Sequence, residues 1–310
     1  MEFLKQTFSE FSQDKCTTLA AALAYYTAFA LPPLLYLLLT VLTYSMSVVY
    51  ESEQAEERAQ QLLTSEAAQM MGNRAAADQI DTIIEKNEKS EGKWWKTLIS
   101  FAGIIFGATG VVAALQAALN QVWSVKPDPE SAGILDMLQK RLLSFGMILG
   151  LGFLLLVSLV VSSVLAGLGN QIGGLIGLSG GLAEGLNFLV QAAVVFVIFT
   201  AIFKFMPDAE VELRDVFVGA GLTTVLFLAG RAAMQVYFSY SEPGAQLGAA
   251  AASLAVLLVW VYYSAMIVLL GAEATQVYAL RYGSGIQPER GAVRVVEQVE
   301  RPEDGAPSAG

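Results

Sequence analysis

A few polar or helix-breaking residues fall inside long apolar tracts of this chain, and these are its candidates for chemistry. Arg231 is the most informative, with Gln235 one helical turn later on the same face. If lipid solvates this tract, a charge there costs at least about 2.5–3.5 kcal/mol and needs a reason. The reason is either binding of an anionic headgroup or substrate in a cavity, or a structural one, in which the side chain extends to the outer interface or pairs with a neighbour for packing. Glu184, at the outer end of another tract, is the best-placed carboxylate partner.

A second candidate is the Pro32-Pro33 pair near the middle of the first apolar tract. The pair removes two backbone hydrogen-bond donors, and Tyr25 lies about two helical turns earlier. Unwound backbone at this depth is tolerated only where protein buries it or where it lines a cavity, and interrupted helices often mark transporter sites. Two alternatives follow: a substrate site to which Tyr25 supplies a hydroxyl, or a kink that improves helix packing.

The third candidate is a set of acid and amide side chains near the ends of two tracts. Glu273 and Gln276 lie near the end of the last tract, and Gln116 and Asn120 near the matching end of the second. Opposite chain directions place both pairs at a similar depth, which differs from the depth of Arg231. Such a set can couple to a cation or proton, or form a hydrogen-bonded clasp between helices worth roughly 0.6–2 kcal/mol. The clasp is the preferred interpretation.

Composition explains why these residues must be positioned by membrane helices. The chain has 310 residues, of which 55% are hydrophobic and 15% charged, whereas soluble domains carry about 25% charge. It has no histidine and one cysteine, which excludes a Ser-His-Asp triad, a His-ligated zinc site and a disulfide framework. No Walker-type phosphate loop is present, and a net charge of −10 argues against nucleic-acid binding. We therefore predict no enzyme activity, no catalytic residue, no metal and no cofactor.

The apolar tracts predict an all-α, polytopic membrane helical bundle with about six transmembrane helices. Each tract reaches the roughly 20 residues that a hydrocarbon core of about 30 Å requires. An amphipathic interfacial helix is predicted at 1–18, an extracytoplasmic helical segment at 51–93, and a disordered cytoplasmic tail at 281–310. The membrane domain at 19–280 contains predicted spans at about 19–44, 97–122, 142–165, 186–205, 216–238 and 249–277.

Lysine and arginine in the short loops predict the orientation of the bundle. The loops at about 167–185 and 239–248 carry neither residue, whereas the connections on the other side and both termini carry one or both. Positive charge marks the cytoplasmic side, so both termini are predicted to be cytoplasmic. The chain is therefore predicted to be a multi-pass protein of the bacterial inner (plasma) membrane.

Several motifs in consistent order resemble the YihY/BrkB family of inner-membrane proteins. They are AAALAYYT at 20–27 with LPP at 31–33, then Gln116, Asn120 and Trp123, then RDVFVGA at 214–220, WVYY at 260–263 and LGAE at 270–273. The resemblance covers about residues 10–280 and implies a six-helix inner-membrane protein tied to envelope function and transport. Proteins of this family have also been labelled as a ribonuclease. The absence of histidine disfavours that activity here, because a metal-dependent ribonuclease of that type needs a histidine-rich metal cluster.

The leading functional hypothesis is a transporter or flippase-like protein for a lipid, amphipathic or anionic small molecule, without its own ATPase. Its candidate substrate-binding residues are Arg231, Gln235, Tyr25, Pro32, Pro33 and Glu184. Its candidate coupling or clasp residues are Glu273, Gln276, Gln116 and Asn120. The alternative is a non-transporting envelope scaffold, in which 51–93 docks a partner protein or a second copy of the chain.

Overall fold

The computed structural model describes residues 2–47, 52–71, 110–129, 181–240 and 249–296, together with residue 146. The predicted third span at 142–165 therefore lies outside the described residues, apart from residue 146. The first part of the second predicted span and the later part of the 51–93 segment also lie outside them.

Helices make up most of the described chain. In chain order they are α1 (Glu2–Gln13), α2 (Cys16–Met46), α3 (Ser52–Met71), α4 (Gly110–Val122), α5 (Gly181–Phe205), α6 (Leu213–Tyr240) and α7 (Ala249–Tyr282). Short strands lie between or after them: β1 (Val125–Pro127), β2 (Ala209–Glu210), β3 (Gln287–Pro288) and β4 (Ala292–Arg294).

Within the described residues, three helices are long and apolar enough to cross a membrane. Their apolar stretches are Phe188–Phe205, Leu213–Tyr237 and Ala255–Tyr282, with mean hydropathies of 2.3, 1.6 and 2.2. They occupy the positions of the predicted fourth, fifth and sixth spans. Two shorter apolar helices, Cys16–Ala30 and Gly110–Val122, fall within the first and second predicted spans. A helix suits this environment because it satisfies every backbone polar group within its own segment.

The first long helix continues through the proline pair. α2 is helical from Cys16 to Met46 and contains both Pro32 and Pro33, whose side chains lie outside the described ones. The backbone is therefore not unwound at this pair, which corrects the alternative that depended on a break there. Membrane helices tolerate proline because neighbouring helices and local adjustments satisfy the freed carbonyls.

α6 and α7 pack closely through small residues at equivalent spacing on both helices. Gly219 and Thr223 on α6 face Gly271 and Thr275 on α7. A Cβ at Gly219 would overlap the Gly271 carbonyl and Thr275 Oγ1, and a Cβ at Gly271 would overlap Thr223 Oγ1. Each threonine hydroxyl donates to the glycine carbonyl one turn earlier on its own helix, at 2.9 Å. Small residues four apart let two membrane helices approach in this way.

α3 covers the end of the bundle that lies farther from the contact between Gly219 and Gly271. Ala55 and Ala59 lie on its buried face. Ala59 belongs to a second apolar cluster with Leu39 and Leu42 of α2 and Trp260 of α7. The described part of the 51–93 segment is therefore a helix packed on the bundle.

The C-terminal tail differs from its prediction. Residues 281–310 were expected to be disordered, but α7 extends to Tyr282 and the chain then forms two strands. β3 pairs antiparallel with β2, and β4 pairs antiparallel with β1. Residues 281–296 of the tail are thus ordered. Its Pro, Gly and charge content indicated disorder because composition does not register backbone partners located elsewhere in the chain.

The N-terminal segment is divided differently from the predicted 1–18 helix. α1 ends at Gln13, a turn follows at Asp14 and Lys15, and α2 begins at Cys16. Lys15 has a left-handed backbone (φ 53°, ψ 38°), which stops α1 and redirects the chain into α2.

Candidate functional site

The beginnings of α2 and α6 meet the ends of α4, α5 and α7 at one end of the bundle. Side chains from distant parts of the sequence join these helix ends. The Cys16 thiol donates to Glu273 Oε1 with a sulfur–oxygen distance of 3.4 Å. The indole Nε1 of Trp123 donates to the Ala272 carbonyl at 3.0 Å. These contacts attach α2 and α4 to the same turn of α7.

Asn120 makes a two-point contact with Asp208, the residue that precedes β2. Its Nδ2 donates to Asp208 Oδ2 at 2.7 Å, and its Oδ1 accepts the Asp208 backbone N–H at 2.8 Å. Both side chains are buried. The amide therefore satisfies a carboxylate and a backbone donor together, and it holds the α5–α6 connection against α4.

Glu273 is fully buried in α7. Its Oε1 accepts the Cys16 thiol, whereas its Oε2 has no hydrogen-bond donor among the described residues. Asp14 and Glu10, from the α1–α2 region, lie close enough to interact with it electrostatically. Gln276 lies half-buried one turn later. The described residues contain no group of three or more acidic, histidine or cysteine side chains that could hold a metal ion.

The predicted clasp residues thus lie near one another, but they pair with other partners. Glu273 contacts Cys16, and Asn120 contacts Asp208. The connection between α4 and α7 is made by Trp123 and a backbone carbonyl. A side-chain clasp between Glu273 and Asn120 is not present.

A pocket of about 760 Å³ opens beside this cluster. It lies between the α1–α2 turn, one face of α4, the chain around β1, and the C-terminal tail near Val295. Gln116 and Asn120 both line it, so the structure brings these two predicted residues to one cavity. Lys15 and Lys126 line it as well.

Arg231 lies elsewhere, between α5 and α6. The side chain is half-buried, and its Nη1 donates to Gln191 Oε1 at 3.0 Å. No ion pair of Arg231 exists with any side chain that the structure describes. The Glu184 side chain lies outside this set, although its backbone belongs to α5. Gln235, one turn beyond Arg231, is exposed.

The two polar regions lie at different depths. Gly230, next to Arg231, faces the ring of Tyr263 on α7. Tyr263 precedes Glu273 by about 15 Å along α7, at 1.5 Å per residue. Arg231 therefore lies toward the α3 end, and the pocket lies at the other end. Tyr25 is on the outer surface of α2, with its ring centroid 4.8 Å from that of Phe29.

Several of these residues were not anticipated. Gln191 is a polar residue in an apolar tract, and the rule that singled out Arg231 would also have found it. Cys16 is the one cysteine of the chain, and it is fully buried against Glu273, a contact that no pattern in the sequence indicates. No pattern in the sequence identifies Asp208 or Lys126 as site residues. Each lies in a connection between helices, and only the tertiary structure brings it to the site.

The apolar helices and their buried polar contacts define a helical membrane protein. A family model described as "Virulence factor BrkB" matches residues 7–295, so the chain belongs to the BrkB family. This confirms the resemblance found in the first-helix, second-helix and closing-helix motifs.

Curated relatives carry the name UPF0761 membrane protein. The Pseudomonas paraeruginosa relative is 28% identical over 277 residues, which is 88% of this chain and 61% of that protein. The Halorhodospira halophila relative is 27% identical over 288 residues, 91% of this chain and 58% of that protein. The chain thus spans about three fifths of the length of these relatives. No solved structure matches the chain.

Proposed function

We propose that this chain is a multi-pass inner-membrane protein with about six spans and cytoplasmic termini. Four observations support this arrangement. At the pocket end of the bundle, α2 and α6 begin and α4, α5 and α7 end, and the C-terminal tail returns to the same end. Two lysines line the pocket, and α3 covers the opposite end of the bundle. An even number of crossings places both termini on one side, and basic residues mark that side as cytoplasmic.

Within this membrane domain we propose transport or flipping of an anionic amphiphile, of which an anionic lipid is the simplest case. Arg231 carries the proposal. Its guanidinium lies in an apolar helix and bonds a neutral amide, so the nearest described partner leaves its charge uncompensated. A half-buried cation of this kind attracts a phosphate or carboxylate headgroup, to which arginine bonds in a planar, two-pronged geometry.

The proposed activity includes no nucleotide hydrolysis and no catalytic step. The sequence has no Walker-type phosphate loop and no histidine. Movement of the amphiphile then follows its own gradient, an ion gradient or a partner protein. Glu273 is the proposed coupling carboxylate, because it is buried and one of its oxygens has no donor among the described residues.

Replacement of Arg231 by alanine is expected to slow lipid movement about tenfold or more, since a hydrogen bond to a charged group contributes about 1.5–3 kcal/mol. The measurement uses vesicles of phosphatidylethanolamine and phosphatidylglycerol that contain the purified chain and a trace of fluorescent phosphatidylglycerol. Dithionite bleaching then reports the rate at which the probe crosses. Arg231→Lys should retain part of the rate because it keeps the charge.

Arg214→Ala is the matched control, because Arg214 lies on the same helix but is exposed at its first turn. We expect this variant to behave as the unmodified chain. If the unmodified chain moves the probe no faster than empty vesicles do, transport of this lipid class is contradicted. If Arg231→Ala and Arg214→Ala slow the probe equally, Arg231 has no specific role.

The second candidate function is an envelope scaffold that docks a partner on α3. It is favoured by one observation: α3 packs on the bundle through Ala55 and Ala59 and leaves a charged face outward, with Glu56 and Glu57 exposed. Removal of α3 would uncover the apolar cluster beneath it, so deletion cannot separate docking from folding.

Reversal of the surface charge is the sharper test of the scaffold. The variant E56K/E57K should leave the thermal stability and lipid movement unchanged, because both side chains are exposed. If the chain is a scaffold, this variant should lose its envelope function in cells. If it is a transporter, cells with E56K/E57K should behave normally and cells with Arg231→Ala should not.

A further inference from the structure

The pocket at the cytoplasmic end has hydrogen-bond donors that the protein does not use. Lys15, Lys126 and Gln116 line it, and none of their three side chains makes a hydrogen bond or ion pair with a residue that the structure describes. Both lysines are exposed, and Gln116 is half-buried on α4. The residues that line the pocket therefore include two ammonium groups and an amide that have no partner among the described residues.

Two carboxylates, Asp14 and Asp208, also line the pocket, and both already have partners. Asp208 accepts the Asn120 amide at 2.7 Å. The backbone carbonyl of Asp14 accepts Gln121 at 3.4 Å, and its carboxyl group interacts with Glu273. The two lysine side chains are therefore the charged groups of the pocket that have no partner among the described residues, which favours an anion as the ligand.

The pocket also has an apolar side. Ala113 and Ala117 are exposed on the face of α4 that borders it, one and two turns from Gln121 toward the middle of the bundle. This face extends about 12 Å along the helix at 1.5 Å per residue. One end of the pocket is thus polar and carries the two lysine side chains, and the other is lined by small apolar side chains. The ligand that suits both ends is amphipathic.

The backbone around the pocket has an unusual feature. Among the described residues, Lys15 and Ser124 are the non-glycine residues with positive φ, at 53° and 52°, and both line the pocket. Glycine is the usual residue at such helix ends because it adopts this conformation without strain. A lysine at this position keeps a cation beside the cavity at the cost of backbone strain, which is a pattern found at binding sites.

We propose that this pocket binds the phosphate group of an anionic lipid headgroup, with Lys15 and Lys126 contacting the phosphate and Gln116 donating to it. The Ala113–Ala117 face then receives the glycerol and the first carbons of the acyl chains. This inference rests on the proposed function, since it names the ligand at one end of the same transport route. Basic pockets between membrane helices on the cytoplasmic side bind such headgroups.

The test is calorimetric titration of the purified full chain in detergent. The probes are dihexanoyl phosphatidylglycerol, dihexanoyl phosphatidylcholine, glycerol 3-phosphate and inorganic phosphate. We expect the phosphatidylglycerol probe to bind, and K15M/K126M to weaken it about tenfold to thirtyfold, in line with the contribution of two basic residues near a lipid phosphate. K15R/K126R should bind nearly normally.

The matched control is K5M/R290M, which removes the same charge from exposed residues outside the pocket. It should bind as the unmodified chain does, and all variants should elute as single species with unchanged melting temperatures. Arg231→Ala should also keep this affinity, because Arg231 lies at the other end of the bundle. If binding persists but no lipid crosses in the vesicle assay, the pocket assignment stands and transport fails.

The remaining outcomes are decisive as well. If glycerol 3-phosphate or phosphate binds as tightly as the lipid, with the same dependence on both lysines, the site takes a soluble phosphate and the lipid source is overturned. If K15M/K126M and K5M/R290M bind the lipid equally, the pocket assignment is overturned. The same holds if the unmodified chain binds none of the probes.

Discussion

Replacement of Gly219 by alanine is expected to lower the free energy of unfolding by about 3 kcal/mol, at the upper end of ordinary overpacking losses. A Cβ at this position would overlap the Gly271 carbonyl and Thr275 Oγ1. A carbonyl is part of the backbone, so the clash can be relieved only by separating α6 from α7. The measurement is unfolding of the purified chain in mixed micelles by increasing sodium dodecyl sulfate.

Gly221→Ala provides the control for this prediction. Gly221 is two residues away on the same helix, and a Cβ there would meet Phe196 Cε2 at 3.9 Å, an ordinary contact. We expect this variant to unfold at nearly the same detergent fraction as the unmodified chain. Equal losses for Gly219→Ala and Gly221→Ala would indicate general helix effects and would contradict close packing of α6 on α7.

Removal of the Asn120 side chain by alanine should cost about 2–3 kcal/mol, because a buried carboxylate loses one of its hydrogen-bond partners. Asn120 and Asp208 are 6% and 8% exposed, so water does not readily replace the missing amide. The Asp208 backbone N–H also loses its acceptor. The same detergent unfolding experiment measures this loss.

The exchanged pair N120D/D208N is the informative companion variant. It preserves both hydrogen bonds, because the carboxylate then accepts from the amide and from the backbone N–H. N120D alone places two carboxylates together and should be at least as unstable as Asn120→Ala. If the exchanged pair is no more stable than N120D, the two-point contact does not explain the role of these residues.

The membrane helices were the part of the fold most accessible to prediction. Spans expected at 186–205, 216–238 and 249–277 correspond to helices at Gly181–Phe205, Leu213–Tyr240 and Ala249–Tyr282. The differences lie at the ends, where helices extend beyond the apolar tract. The family was also recognisable, because its motifs are short and contiguous.

The packing motif of α6 and α7 was visible in the sequence but was not selected. Gly219 and Thr223, and likewise Gly271 and Thr275, are small residues four apart. Other glycine pairs in the chain have the same spacing, and spacing alone does not say which pairs face each other. The contact requires that both helices present these faces at the same depth.

The candidate sites depended on the tertiary structure to a much greater degree. The sequence identified Arg231 and Asn120 as unusual, yet their partners Gln191 and Asp208 lie 40 and 88 residues away. The tail strands show the same limit, since β4 pairs with β1 from a distant connection. A partner this far away in the sequence produces no periodic pattern in the residues around either side chain.

The sequence by itself determined that this chain is a helical membrane protein of the BrkB family and which polar residues require an explanation. The free energy of transferring a helix into lipid is a sum over its contiguous side chains, so a local stretch of sequence is enough to predict a membrane helix. Only the tertiary structure decided the continuity of α2 through Pro32-Pro33, the order in the tail, and the meeting of Lys15, Gln116 and Lys126 around one pocket. These features depend on which helix ends come together, and that is set by packing between segments.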